Sequence, residues 1–414
     1  MKRIRVKPRL PGPRTKKAVS GIERYGVKST YEYPMSIRDG DGVYLQDLDG
    51  NWFLDFHANI ASTAVGYRHP EIMDVLKKYS YLGAHKIAGQ DFYTKEHADL
   101  LKKIVKITPA DLTKVFLVNT GAEAVENAIK FAYRKRGPFP GVSCEGAFHG
   151  RTLGALTFTH SKAVQKKNYP ELPHHIMKFY EEGKHACPEA RCEEDFERIA
   201  EESGKPAFVL MELVQGEGGY RVAEKNFIRS LSKITRRAGV PLIFDEVQSG
   251  LGRTGKWWAF EHYGVRPDIM AMAKALQVGA VASAPRYAPK EPGAVSTTWG
   301  GGHRIDMAVA LKTIEIIQKE KLVRNAAVQG PYLKNALEDL MDERGSIVDV
   351  RGLGLMVGVE FSSLKERDRV VLGCYKNGLN VFGVGRKSIR LCPPLIITRE
   401  EIDLGLEILE KATS

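Results

Sequence analysis

Lys274 sits in the nearly all-apolar stretch Asp268–Leu276, and upstream of it Asp245 closes the apolar run Pro241–Phe244. A lysine approached by apolar residues is held partly desolvated, which lowers its pKa and frees its amine for Schiff-base chemistry. A carboxylate ending an apolar strand can keep a pyridine nitrogen protonated. Together the two residues point to pyridoxal phosphate, which neither would do alone.

Other constellations could serve the same chemistry. Thr120-Gly121-Ala122-Glu123 reads as a capping box, and the helix N-terminus behind it offers backbone N–H groups and a positive dipole end to a phosphate. In Phe148-His149-Gly150-Arg151-Thr152, the aromatic could stack on a flat ring and Arg151 could hold a carboxylate through two hydrogen bonds. Glu212–Gly219 places two acids and a Gln in a Gly-rich loop after a strand. Arg390 stands alone in the apolar, Pro-stiffened segment Ile389–Leu395. A buried arginine calls for a buried carboxylate, but spacing alone does not say that Glu217 is its partner. Ser296–Gly302 is a hydroxyl-bearing loop that could reach a phosphate. Gly250–Gly255 has the form GxGxxG, but it does not open a helix after a βαβ turn, so no dinucleotide site is expected.

The elements that must position these residues alternate. Strands are expected at Val115–Val118, Ala207–Met211, Pro241–Phe244 and Asp268–Met272, with helices at Ala122–Arg136 and Phe227–Ala238. Such alternation implies a mostly parallel sheet with its site at the carboxyl ends of the strands. The flanks differ. Gly42–Asp55 reads as a hairpin turning at Asp49-Gly50-Asn51. Helices are expected at Ile305–Glu320, Gly330–Glu343 and Arg399–Thr413, and a strand at Arg351–Phe361. This organisation suggests a large domain (66–303) and a small one assembled from both chain ends (1–65 and 304–414).

At 414 residues, 43% apolar and 27% charged, the composition is that of a globular enzyme. No apolar run approaches the roughly 20 residues needed to span a bilayer. The basic start, Met1–Lys17, lacks an apolar signal region and carries Pro8, Pro11 and Pro13, so a cytoplasmic protein without membrane contact is expected. The net charge of +12 is spread along the chain with no nucleic-acid module, so nucleic acid is not an expected partner. Five cysteines at irregular spacing fit a reducing compartment. His185, Cys187 and Cys192 cluster locally, but without a second cysteine pair no metal site is expected.

Taken in order, these motifs resemble the class III (ω-amino acid) aminotransferases of the fold type I pyridoxal phosphate superfamily. The resemblance runs from about Gly42 to Leu395. It is most specific in Phe244–Gly255, followed by Pro267-Asp268-Ile269 and Lys274. It implies an α/β fold, with a mostly parallel sheet in the large domain and a small α+β domain from both chain ends. It also implies pyridoxal 5'-phosphate as cofactor and roles for individual residues. Lys274 would be the Schiff-base lysine and proton shuttle, and Asp245 the partner of the pyridine nitrogen. Val247 and Phe148 would enclose the ring, with His149 beside them, and Gln248 would bond its phenolic oxygen. Gly121 and Ala122 would hold the phosphate, and Thr298 would reach the phosphate of a neighbouring subunit, making the site that of a homodimer or a higher homo-oligomer. Arg151 would hold a substrate carboxylate, and Glu217 would pair with Arg390 until an α-carboxylate displaced it. The expected reaction moves an amino group from a lysine-, ornithine- or 4-aminobutyrate-like donor to 2-oxoglutarate by a ping-pong route. A racemase on the same fold is the alternative. Two departures stand out: Leu213 occupies a usual proline position, and Gln277-Val278-Gly279 replaces a Gly-rich turn after the lysine.

Overall fold

The computed structural model describes residues 4–89, 91–178, 189–297, 299–343 and 345–414, with residues 189–192 described by backbone only. At its centre is a seven-stranded sheet. In chain order its strands are β1 (Lys114–Val118), β2 (Gly141–Cys144), β3 (His174–Met177), β4 (Val209–Met211), β5 (Leu242–Asp245), β6 (Ile269–Met272) and β7 (Gly279–Ser283). Their spatial order is β1-β7-β6-β5-β4-β2-β3, and β7 alone runs against its neighbours. Every residue of β2, β4, β5, β6 and β7 is buried. That explains why these strands read as continuous apolar runs: a parallel sheet covered on both faces has no solvent side to alternate toward.

Helix α1 (Gly121–Arg136) follows β1 and packs on β6 and β7. Its capping box is formed, with Thr120 Oγ1 accepting from Glu123 N at 3.2 Å and the Glu123 carboxylate accepting from Thr120 N at 3.1 Å. Such a cap contributes about 1 kcal/mol and fixes where the helix begins. Helix α2 (Lys225–Ala238) turns Phe227, Ile228, Leu231 and Ile234 to the core and ends on Gly239 at φ +67°. Only glycine takes this left-handed cap without a Cβ penalty.

The chain ends build the rest. The hairpin Tyr44–Asp47/Trp52–Asp55 forms as expected, and Leu379–Asn380 adds to it in parallel, opposite Leu54 and Asp55. Helices α3 (Arg304–Lys319), α4 (Leu322–Glu343), α5 (Leu364–Lys376) and α6 (Arg399–Thr413) complete this part. Two expectations need correction. Helix α4 does not start at Gly330 but eight residues earlier at Leu322, with Pro331 in its interior. Its buried stripe, Leu322, Ala326, Gly330, Leu333, Leu337 and Leu340, runs unbroken at helical spacing, and this packing outweighs the cost of about 3 kcal/mol for an internal proline. Gly330 is there because a Cβ would lie 2.2 Å from the carbonyl carbon of Gly354. Likewise, Arg351–Phe361 is not one strand. It spans the end of Ile347–Gly352 and all of Val357–Phe361, antiparallel strands joined at Gly352 (φ +145°) and Gly354 (φ +58°).

No described helix is long and apolar enough to cross a membrane.

Candidate active site

Strands β1, β2, β4, β5 and β6 of the central sheet end at one place. Thr120 and Gly121 follow β1, Phe148 and His149 lie beyond β2, and Glu212 follows β4. Asp245 closes β5, and Lys274 lies two residues past β6. All of them line a single cavity of about 980 Å³, as do Ala122, Arg151, Glu217, Val247, Gln248 and Arg390. The structure thus brings together the described residues expected to hold the cofactor and the substrate. Thr298 lies outside the described residues, as do His185 and Cys187; only the backbone of Cys192 is described.

Asp245 and Lys274 come from adjacent parallel strands in register, Asp245 opposite Ala271. The Asp245 carboxylate is 5% exposed and anchored on both oxygens. Oδ1 accepts from Val247 N at 3.0 Å, and Oδ2 is 2.8 Å from His149 Nδ1. Behind them, buried Glu212 accepts from Phe148 N and Gly216 N, each at 2.8 Å, and so fixes two loops. Burial pushes the Glu212 carboxyl up to about 7; the nearby Asp245 adds to the shift and His149 opposes it.

The Lys274 amine is lowered to about 8, first by burial and then by the charge of Arg390, against the opposing pull of Asp245, Glu212 and Glu217. Its backbone is held at φ +50°, and Gln277 follows at φ +65°. Left-handed conformations at non-glycine residues cost on the order of 1 kcal/mol each and cluster where function fixes geometry. Gln277 compensates in part: its Nε2 donates to Ser62 O at 2.9 Å and to Lys274 O at 3.0 Å.

These residues fit pyridoxal phosphate. Among the described residues, the N–H groups of Gly121 and Ala122 at the start of α1 have no acceptor. A Cβ on Gly121 would stand 2.8 Å from Val247 Cγ1, so only glycine permits that approach. Gln248 Oε1 is buried without a partner. Phosphate donors, an apolar wall, an amide, a buried carboxylate and a neutralisable amine all face one cavity.

The opposite wall comes from the chain ends. Arg390, 5% exposed, donates from Nη1 to Glu217 Oε1 at 2.7 Å, so the buried arginine does find a carboxylate, across 173 residues of sequence. Burial alone would raise the Glu217 carboxyl, but Arg390 holds it below its ordinary value. Lys162 Nζ lies 4.0 Å from the other oxygen of Glu217. Arg151 is exposed in the cavity wall and has no ion-pair partner among the described residues. Sequence reasoning missed His57, Lys162 and Phe382, which also line the cavity, and named Glu212 only as part of its loop. None follows a central-sheet strand within a motif, except Glu212, whose place after β4 mirrors that of Asp245 at the end of β5. The GxGxxG-like segment is structural: Arg253 is 2% exposed and its guanidinium donates to Leu355 O and Pro393 O.

The family described as aminotransferase class-III matches residues 25–413. An acetylornithine aminotransferase of Archaeoglobus fulgidus is 36% identical over 393 residues, covering 94% of this chain and 98% of its own. An alanine/serine racemase of Pyrococcus horikoshii is 30% identical, covering 99% of this chain and 92% of its own. Among solved structures, a lysine aminotransferase from M. tuberculosis superposes with a TM-score of 0.88 at 26% identity, covering 96% of this chain and 98% of that one. With this match along nearly its whole length and a cavity that fits the cofactor, the chain belongs to the class-III aminotransferases and is a pyridoxal-phosphate-dependent, amino-group-transferring enzyme.

Proposed function

We propose that the enzyme takes the terminal amino group of an ω-amino or diamino acid, of the acetylornithine, lysine, ornithine or 4-aminobutyrate kind, and passes it to 2-oxoglutarate. The observation that carries this reading is the buried Glu217–Arg390 pair beside Lys274. With Arg390 paired to Glu217, Arg151 is the guanidinium of the cavity lining that has no ion-pair partner among the described residues. A donor held there by its carboxylate presents its far amine to Lys274. In the second half, an α-carboxylate displaces Glu217 and takes Arg390. A buried pair suits such a switch, because neither charge is stable there without a partner.

When bound, pyridoxal phosphate supplies an electron sink. Lys274 Nζ would hold it and would serve as the base that moves a proton at the donor carbon bearing the amine; burial lowers this amine to about 8, which favours its neutral form. Asp245 would keep the pyridine nitrogen protonated, Gln248 would bond the phenolic oxygen, and Val247 and Phe148 would confine the ring. His149 buttresses Asp245, and Gly121 and Ala122 would hold the phosphate. The working unit in this reading is a homodimer or a larger homo-oligomer, in which Thr298, outside the described residues, would serve the phosphate site of a second copy. Each subunit has a small domain made from both chain ends. The free thiols Cys144, Cys374 and Cys392 accord with a cytoplasmic location.

A racemase reading draws support from the Pyrococcus horikoshii relative. Donors labelled with ¹⁵N at the terminal or at the α position, incubated with 2-oxoglutarate, decide between the two. The proposal expects label in glutamate from the terminal position only. Unlabelled glutamate together with a racemised donor would overturn it.

A further inference from the structure

His57 stands at a strained turn that the motifs do not cover. It follows the strand Trp52–Asp55, and the next four residues, Ala58 to Ala61, all have left-handed backbones with φ between +45° and +64°. Successive left-handed residues without glycine are rare, because each brings its Cβ against the following carbonyl. Such strain persists only where the surroundings enforce it. Here they do. Buried Asp55 accepts from His57 N at 2.9 Å and Ala58 N at 3.0 Å, and is itself held by Tyr67 and Asn380, each at 2.6 Å. Cys392 Sγ donates to His57 O at 3.2 Å.

The ring is as firmly set as the backbone. It stacks on Phe382 with centroids 4.2 Å apart, and Nδ1 accepts from Ile60 N at 3.3 Å. A neutral imidazole that accepts at Nδ1 carries its proton on Nε2. Burial, with the charges of Arg390 and Lys274, holds His57 neutral, well below its ordinary pKa. Nε2 is therefore a donor. It is buried and has no partner among the described residues, in a residue that is 7% exposed and lines the cavity. The neighbouring Arg390 Nε, also a donor, is likewise buried and unpartnered. Two unpartnered donors beside cationic groups select an anionic acceptor.

We propose that His57 is a specificity-determining residue whose Nε2–H donates to the same substrate α-carboxylate that Arg390 takes up when Glu217 releases it. This deepens the switch proposed above and rests on that reading of Arg390. His57 then acts in the oxo-acid half of the cycle and is a bystander while Glu217 occupies Arg390.

Two variants of the cofactor-loaded enzyme test it. His57→Phe keeps an aromatic ring for the Phe382 stack and removes the donor; His57→Gln restores an N–H of similar reach. The probe is glutarate, a dicarboxylate that cannot react, with binding followed by the change in cofactor absorbance. His57→Phe is expected to weaken glutarate binding and raise the KM for 2-oxoglutarate about tenfold, the usual cost of a lost hydrogen bond to a charged group. The terminal-amine half-reaction should stay within about twofold, and His57→Gln should recover most of the loss. Unchanged glutarate binding in His57→Phe would overturn the proposal, as would an equal fall of both half-reactions. A wild-type enzyme that binds glutarate but transfers no terminal amine would fail the proposed function instead, and the glutarate comparison would still decide the role of His57.

Discussion

The two walls of the cavity are built by different means. The cofactor wall is a set of neighbouring strand ends in one sheet. Asp245 and Lys274 are fixed by the register of β5 with β6, and Gly121 by a capped helix. The substrate wall joins segments more than 300 residues apart: Cys392 N donates to Phe56 O at 2.7 Å, and Asn380 reaches Asp55. It carries the four left-handed residues after His57, the buried Glu217–Arg390 pair, and donors on His57 and Arg390 that have no partner among the described residues. The comparison teaches that Asp245 and Lys274 rest on the register of one sheet, whereas the wall proposed for the substrate rests on long-range contacts that hold buried donors without a partner among the described residues.

This division of labour makes graded predictions. The largest effect belongs to the cofactor wall. Lys274→Ala should lower kcat by about 10⁴, the upper range for loss of a positioned base. In the wild type, borohydride reduction followed by digestion should leave the pyridoxyl mass on Lys274. Finding it on another lysine would break the assignment of that wall. Asp245→Asn removes the charge that keeps the pyridine nitrogen protonated and should lower kcat by about 10²–10³, with little change in the KM of either substrate. A change confined to KM would move Asp245 to the substrate wall.

A pH effect of intermediate size separates the desolvated lysine from an ordinary one. Its lowered pKa makes Lys274 protonated below about 8 and neutral above it. Only the neutral amine attacks pyridoxal phosphate. The rate at which apo-enzyme takes up the cofactor should therefore climb about tenfold per pH unit up to about 8 and then level off. An unperturbed lysine would keep the rate rising toward about 10.4. The smallest effect falls on the substrate wall. Glu217→Gln leaves Arg390 permanently available, so the KM for a terminal-amine donor should rise about tenfold while that for glutamate falls. Equal changes for both donors would mean that the pair is structural.

The same contrast explains what the sequence made legible. Strands buried on both faces leave continuous apolar runs, and a functional residue at the end of such a run stands out. Asp245, Lys274 and the capping box of α1 are of this kind. The substrate wall has no local signature. Arg390 could be recognised as a buried cation in want of a carboxylate, but its pairing with Glu217 depends on how the chain ends fold back. The left-handed turn 58–61 lacks the glycines that usually announce positive φ, so His57 passed unnoticed. Gly330-Pro331 interrupts the local helix signal of α4; the buried stripe running through it reveals its continuity.

The most direct test of the account is the isolated first half-reaction. Cofactor-loaded enzyme is mixed with N-acetylornithine, ornithine, lysine or 4-aminobutyrate, each without any oxo acid, and the cofactor absorbance is followed. The account predicts that a terminal-amine donor bleaches the band and that 2-oxoglutarate restores it. A band that persists with every donor, while α-hydrogens of an added amino acid exchange with deuterated water, would contradict it and identify a racemase.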